Sequence, residues 1–275
     1  MSVPTETVGT RGNIRERWFM KIKLYYSLLL AVYILSGCAA DKELLYSPDM
    51  EYFYKTRGDS YYAEGNYELA ISDYNKVIKL DPKRNDIYFI RAEIYKQQKE
   101  YDLALADYNK ALDFNPSPLY YWGRGSVYYM KKQYDSAIKE YIKAIRLNNN
   151  FAVAYNSLAW LLATCSDEKY RDGSKAVELA KKAVEWAKRA GHHLALESQM
   201  LNTLAAAYAE AGDFDMAVKS QEKAIQLFKE EDRSEHRDRY GKFIPLFKEQ
   251  GRSDNLNEYE KRLESYKRDI PLTDM

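Results

Sequence analysis

A pattern of small and aromatic residues returns at a fixed interval in this chain, and it limits the possible folds more than any other feature. Within Glu51–Pro82 these residues are spaced i, i+4, i+7, which places each group on one face of a helix. One such helix pair buries too little apolar surface to be stable alone, so the sequence predicts an all-α stack of helical hairpins. The pattern returns after 34 residues and again after 33, giving three aligned sets: Gly58, Tyr61, Ala70, Tyr74, Val77; Ala92, Tyr95, Ala104, Tyr108, Ala111; Gly125, Tyr128, Ala137, Tyr141, Ala144.

The first unit also indicates how each hairpin is closed. Gly65 and Asn66 make the turn between its two helices, and Pro82 ends the second helix. Small residues such as Gly58 and Ala70 let the paired helices approach closely. In these positions and in its period the chain resembles the tetratricopeptide repeat (TPR) family. The resemblance implies a right-handed superhelical solenoid in which the first helix of each pair lines a concave groove.

A fourth unit continues the pattern with one interruption. It begins near Ala152, but a longer turn replaces the short one before its second helix. The amino-acid sequence of this turn resembles that of a variant TPR. The resemblance implies that Arg171, Asp172 and Gly173 close the turn and cap the second helix.

The repeats end with a fifth unit at Thr203–Ile225 and a polar cap. A last helix near Leu256–Lys267 carries apolar residues on one face and charges on the other, as a terminal repeat requires for solubility. We therefore predict a TPR array of about five repeats over residues 51–231, followed by capping helices over residues 232–275.

The beginning of the chain has the architecture of a secretory signal. Residues 20–38 start with two lysines and continue with an apolar run too short for a comfortable transmembrane helix. The run ends in Leu35-Ser36-Gly37-Cys38, which resembles the lipobox of bacterial lipoproteins. The resemblance implies cleavage before Cys38 and attachment of fatty acids such as palmitate to it. By the same resemblance, Ala39 and Ala40 directly after Cys38 lack the acidic residue that keeps such lipoproteins in the inner membrane, which favours the outer membrane of a Gram-negative cell, facing the periplasm. The alternative is an ordinary amino-terminal anchor helix with an incidental cysteine.

These features divide the amino-terminal region into two parts. Residues 1–37 form an extension and signal peptide, with Met20 predicted as the translation start, and residues 38–50 form a lipidated tether. The alternative to initiation at Met20 is that residues 1–19 are a long basic amino-terminal region of the same signal peptide.

No residues point to catalysis, a metal or a cofactor. The net charge of +1 gives no long-range attraction to nucleic acid. His192, His193 and His236 form no recognisable constellation with each other or with Cys165. We interpret the adjacent histidines as a surface pair and Cys165 as a buried small residue. Since phosphate-loop, HExxH and GxSxG motifs are also missing, the sequence predicts a protein that is not an enzyme.

The groove is the predicted binding site. The TPR register directs a mixed aromatic and charged set into it: Tyr52, Lys55, Asp59, Tyr62; Phe89, Glu93, Lys96; Leu119, Trp122, Ser126, Tyr129; Asn156, Trp160. Because large aromatic side chains anchor protein interfaces, we predict a partner segment lying across a subset of these: Tyr52, Tyr62, Phe89, Trp122, Tyr129, Asn156 and Trp160. Packing between adjacent repeats is the alternative for each residue, since a shift of one position changes the helix face. Lys55, Asp59 and Ile90 occupy the places of the carboxylate clamp found in some TPR modules, so that clamp is not present.

Together these features predict a membrane-anchored scaffold for a protein or peptide partner. Assembly of an envelope complex, such as pilus, secretion or cell-wall machinery, follows by analogy from the fold and the location. One alternative is a regulatory adaptor that delivers substrates to a periplasmic protease or hydrolase. Another is an enzyme of unknown chemistry. The protein could also associate with itself, as a homodimer formed through a solenoid end or through the tyrosine-rich surface.

Overall fold

The protein is all-α in the part of the chain that the structure describes. In a computed structural model these residues are 48–189, 194–232 and 252–274, so Cys38, the signal and most of the tether lie outside them. The contacts within the chain divide it into two units, Met1–Tyr52 and Phe53–Met275. Of the first unit, the structure describes only residues 48–52, at the start of the first helix. The predicted fold class is confirmed. The helices are α1 Pro48–Glu64, α2 Tyr67–Leu80, α3 Asn85–Gln97, α4 Tyr101–Phe114, α5 Pro118–Met130, α6 Tyr134–Leu147, α7 Ala152–Thr164, α8 Gly173–Arg189, α9 Leu194–Glu210, α10 Phe214–Asp232 and α11 Arg252–Tyr266.

A left-handed residue at one fixed position closes each short hairpin. Gly65, Lys99, Lys132 and Gly212 have φ angles of 80°, 63°, 58° and 81°. The backbone N–H of the following residue then donates to a carbonyl of the preceding helix at 2.8 to 2.9 Å, which satisfies a group left open at the helix end. The predicted turn at Gly65 is confirmed. Lys99 and Lys132 adopt the same geometry at a cost of about 1 kcal/mol for a residue with a Cβ.

Small residues meet tyrosines where the paired helices cross. A Cβ added to Gly58 would lie 2.8 Å from the Tyr74 ring, and one added to Gly125 would lie 2.8 Å from the Tyr141 ring. These distances confirm that the small positions of the repeat let the second-helix tyrosines reach the first helix. The tyrosines themselves are buried, at 0% and 3% exposure.

The long turn of the fourth unit is closed as its resemblance implied. Asp172 Oδ1 accepts a hydrogen bond from the backbone N–H of Lys175 at 2.9 Å, which caps α8. Arg171 pairs with Glu210 at 2.9 Å and so ties the turn to the end of α9. A Cβ on Gly173 would lie only 2.6 Å from the backbone of Ala211, so glycine is needed there.

Helix α11 packs on α10 and caps the described end of the array. The Tyr259 ring lies 5.8 Å from that of Phe228, and the Tyr259 carbonyl accepts a hydrogen bond from Gln221 Nε2 at 3.0 Å. Tyr266 is fully buried. The helix runs from Arg252 to Tyr266, so it begins four residues before the predicted start at Leu256.

One ion pair recurs at the same place in each of the first three repeats. It joins the first helix to the second at an N–O distance of 2.6 Å, and its carboxylates are only 2%, 7% and 7% exposed. Sequence reasoning missed this feature. The pairs are Arg57–Asp73, Arg91–Asp107 and Arg124–Glu140.

The same arginines also link successive repeats. Arg91 donates to Asn75 and Arg124 donates to Asn109, each on the second helix of the preceding repeat. Each of these two arginines therefore joins the two helices of its own hairpin through the ion pair and contacts the preceding hairpin through the asparagine.

The first helices of neighbouring repeats form a continuous row. Helix α3 contacts α5, α5 contacts α7, and α7 contacts α9, while second helices pack against the first helices that follow them. We call the side of these first helices that faces away from the second helices the groove. The predicted groove residues are three or four positions apart along each of these helices, which places those of one helix on one face.

Candidate partner-binding groove

The predicted site residues nearest the amino terminus differ in their exposure. Tyr52, near the start of α1, is 71% exposed. Tyr62 is partly buried, with its ring 6.0 Å from that of Tyr67. Burial raises the pKa of Tyr62 to about 12; Glu93 and Tyr67 add to the shift, and a hydrogen bond with Gln97 opposes it. Tyr62 thus bridges the first two repeats instead of standing free in the groove.

Phe89 is also used in packing between repeats. Its ring lies 6.1 Å from that of Tyr108 and 5.1 Å from that of Tyr120, which belongs to the third repeat. These distances are typical of attractive aromatic pairs. The structure therefore places Phe89 in the position that the packing alternative described, with part of its surface still exposed.

Trp122 is fixed in the middle of the groove by contacts on two sides. Its Nε1 donates to Ser157 Oγ on α7 at 2.8 Å. Lys96 Nζ lies 5.3 Å from the ring centroid, within the range of a cation–π contact. Lys96 in turn pairs with Glu93 at 2.6 Å, and Glu93 accepts a hydrogen bond from Tyr108. This network holds a partly exposed indole in one orientation.

Trp160 is covered by the capping helix. The guanidinium carbon of Arg262, on α11, lies 5.0 Å from the centroid of the Trp160 ring. Arg262 is held in place by Asn202 at 3.0 Å and by Glu258 at 2.8 Å. The chain itself therefore occupies one side of this predicted anchor.

Tyr129 and Asn156 lie beside the two tryptophans. Burial raises the pKa of Tyr129, and hydrogen bonds with Trp160 and Thr164 oppose that shift. Asn156 is partly buried, and its Oδ1 has no hydrogen-bond partner among the described residues. Helices α5 and α7 thus carry all four residues, Trp122 and Tyr129 on the first and Asn156 and Trp160 on the second, and both residues of α5 hydrogen-bond to α7.

The cysteine and histidines considered in the sequence can be placed only in part. The described residues contain no group of three or more metal-ligating side chains. Cys165 is buried, as the sequence interpretation expected, and forms no disulfide within the described part of the chain. His192, His193 and His236 lie outside the described residues, so their predicted surface positions stay predictions.

Comparison with protein families and solved structures agrees with this architecture. Tetratricopeptide repeat models match residues 55–118 and 198–231, and a TPR repeat model matches residues 125–163. The fold and these matches define the class: a solenoid of helical hairpins that contains tetratricopeptide repeats over the matched residues. None of the curated proteins compared with it matches the sequence.

Three solved structures illustrate the likeness in fold. MamA is 24% identical, with a TM-score of 0.52 over 69% of this chain and 97% of that one. The pilF protein of Pseudomonas aeruginosa is 17% identical, with a TM-score of 0.55 over 79% of this chain and 89% of that one. BtubC from P. vanneervenii is 20% identical, with a TM-score of 0.55 over 64% and 79%. At these identities the similarity concerns the fold alone.

Two contributors to the site escaped sequence reasoning. Ser157 gave no signal, because a serine on a helix is ordinarily read as a solvent-facing residue. Arg262 lies far from Trp160 in the sequence, and only the packing of α11 brings the two together.

Proposed function

We propose that this protein is a binding scaffold that holds a segment of a partner protein in the groove, with Trp122 as the main anchor. The observation that carries the proposal is the fixed, partly exposed indole of Trp122, oriented by Ser157 and Lys96. Large aromatic side chains dominate binding energy at protein interfaces. A side chain that is already held in one orientation loses little entropy when a partner binds.

The other predicted contact residues take a supporting role in this proposal. Phe89 and Tyr62 use part of their surface in packing between repeats, and Arg262 covers one side of Trp160. A partner segment that crosses the centre of the groove would contact Trp122 and Tyr129, which lie on the same helix.

The test is affinity capture with the full-length protein from detergent-solubilised envelopes. Trp122→Ala should lose the partner that the parent retains, with unchanged helicity. Trp186→Ala is the matched control, because Trp186 is also partly buried against the core but lies on α8, a second helix. Identical partner lists for the parent and Trp122→Ala would refute the groove as the binding site.

We also propose that the scaffold is anchored to a membrane by fatty acids on Cys38. The lipobox-like sequence before Cys38 supports this, since two or more acyl chains give stable anchoring. The residues that the structure describes include no helix long and apolar enough to cross a bilayer. Labelling with a palmitate analogue should mark the parent and not Cys38→Ala; equal labelling of both would refute the anchor.

The proposed setting is the periplasmic face of the outer membrane, where the scaffold would assist assembly of an envelope complex. The sequence after Cys38 supports the location, and the partner found by capture would identify the complex. Sedimentation of the parent protein would test the proposed homodimer.

A further inference from the structure

The charges of the groove are neutralised from within the chain. From Lys55 onward, every charged side chain at a groove position of a described first helix has an oppositely charged partner nearby. The same holds for Arg262, which reaches the groove from α11. The pairs are Lys55–Asp59 at 2.7 Å, Asp86–Arg84 at 2.7 Å, Glu93–Lys96 at 2.6 Å, Glu210–Arg171 at 2.9 Å and Arg262–Glu258 at 2.8 Å.

The innermost of these pairs is well shielded from water. The side chains of Glu93 and Lys96 are 2% and 6% exposed. Breaking a buried pair leaves an unpaired charge at a cost of several kcal/mol, about 3 to 5 when burial is complete. A charged partner group could not recruit either residue without that loss.

The centre of the groove, on α5, carries no charged residue at all. Leu119, Trp122, Ser126 and Met130 follow one face of the helix at i, i+3, i+7 and i+11. Leu119 is 37% exposed and Met130 is 48% exposed, so apolar surface is available on both sides of Trp122. The Ser126 hydroxyl already donates to the Trp122 carbonyl at 3.0 Å.

We propose that the segment bound in the groove is an uncharged, aliphatic-rich stretch of protein chain, and not an acidic or basic tail. This inference rests on the proposed function above. An ion brought to α5 would lose its hydration without gaining a counter-charge, which is unfavourable. Binding would then depend on buried apolar area, which salt does not screen.

The first experiment selects peptides from a random display library on the full-length protein. Selected peptides are then titrated by fluorescence anisotropy against the parent and against Trp122→Ala, at about 50 and about 500 mM NaCl. We expect peptides of near-zero net charge whose binding requires Trp122. Their Kd should change less than about threefold between the two salt concentrations.

The second experiment places a charge of either sign at Met130, on the same face of α5 as the anchor and about 12 Å along the helix from it. Met130→Lys and Met130→Glu should both weaken binding of the selected peptides by about tenfold, because either charge is desolvated by an uncharged partner. Met130→Leu is the control and should bind like the parent. Opposite effects of lysine and glutamate would overturn the inference, since a charged partner would respond to the sign.

The outcomes separate this inference from the proposed function. Charged, salt-sensitive peptides that require Trp122 would overturn the inference and leave the groove as the binding site. Peptides that bind Trp122→Ala as well as the parent, or failure to select any peptide, would overturn the proposed function itself.

Discussion

Replacing Arg91 by leucine tests whether the recurring ion pair holds the repeats together. Arg91 donates to both carboxylate oxygens of Asp107 at 2.6 Å, and the two side chains are 16% and 7% exposed. Arg91→Leu leaves the Asp107 carboxylate without its cation, and breaking a fully buried pair costs about 3 to 5 kcal/mol. Because the pair retains some contact with water, we expect a loss of about 3 kcal/mol in the free energy of unfolding.

The fourth repeat supplies the matched control. Leu158 and Leu179 occupy the positions of the arginine and the carboxylate there, and both are 6% exposed. The double variant Arg91→Leu/Asp107→Leu copies that arrangement and removes both charges together. Replacing a whole buried pair by apolar residues is close to neutral, so the double variant should lie within about 1 kcal/mol of the parent.

Urea unfolding followed by far-ultraviolet circular dichroism measures all of these variants. Adding the single variant Asp107→Leu completes a double-mutant cycle, and the expected coupling is at least about 2 kcal/mol, because the double variant should regain most of what Arg91→Leu loses. A single-variant loss below about 0.5 kcal/mol would place the pair among ordinary surface ion pairs. A double variant no more stable than the single one would also refute the reasoning, because the cost would then not come from the unpaired carboxylate.

Three further changes test other contacts. Gly123→Ala puts a methyl group 2.5 Å from the Tyr108 ring, so the free energy of unfolding in urea should fall by about 2 kcal/mol. Arg262→Ala uncovers Trp160, so tryptophan emission should move to longer wavelength and the melting temperature should fall. Burial alone would raise the pKa of Asp73, but its two cationic partners hold that pKa below the ordinary value. A depressed folded-state pKa stabilises the protein above the unfolded-state pKa, and this contribution is lost as pH falls through the folded-state value. Asp73→Asn should therefore lower the melting temperature at neutral pH far more than at about pH 2.

Each of these three predictions would be contradicted by one result. Unchanged stability of Gly123→Ala would mean that the Tyr108 ring moves aside at no cost. An unshifted emission spectrum would mean that Arg262 does not cover Trp160 in solution. A loss of melting temperature that is equal at both pH values would remove Asp73 from the pH dependence of stability.

The solenoid was predictable because its repeat directly reflects contacts between helices. A small residue at the Gly58 position and a tyrosine at the Tyr74 position recur at fixed spacing because the tyrosine ring packs where a larger side chain would stand. The turn at Gly65 was also predictable from the sequence, since glycine readily adopts a positive φ angle. Lys99 and Lys132 do the same without glycine, and only the repeat register identifies them as turn residues.

The recurring ion pair was within reach of sequence reasoning but was missed. Arg57, Arg91 and Arg124 are separated by 34 and 33 residues, as the aromatic positions are. A charged residue on a helix is ordinarily taken as solvent-exposed, so its periodicity was not used. The lesson is that a charge repeated at the period of the core belongs to the packing.

The groove was predicted in outline, and its details depended on tertiary packing. The register assigns Trp122 to the groove, and in the structure Ser157 and Lys96 fix its orientation. The cover over Trp160 comes from α11, which no local pattern near Trp160 could indicate. Whether these residues bind a partner stays a prediction.

The two halves of the array differ in how they are held together, which leads to a prediction about local stability. The buried apolar residues of α2 to α5 form three smaller clusters, and the recurring ion pairs link their helices. One larger cluster begins at Ala137, on α6, and extends to Tyr266, and Trp122 and Trp160 pack against it. Local opening is easiest where apolar contacts are fewest, so the amino-terminal hairpins should open first and leave the tryptophans on the stable part.

Hydrogen exchange on the full-length protein measures this difference directly. Amides of α7, α8 and α9 should exchange at least about tenfold more slowly than those of α2 and α3. Arg91→Leu should speed exchange in α3 and α4 while leaving α8 and α9 unchanged, because its ion pair joins only the earlier helices. Uniform exchange along the array would mean that the ion pairs couple the repeats as tightly as the continuous core does. In that case the anchor at Trp122 would open together with the first hairpin, and a partner would have to stabilise the whole solenoid in order to bind.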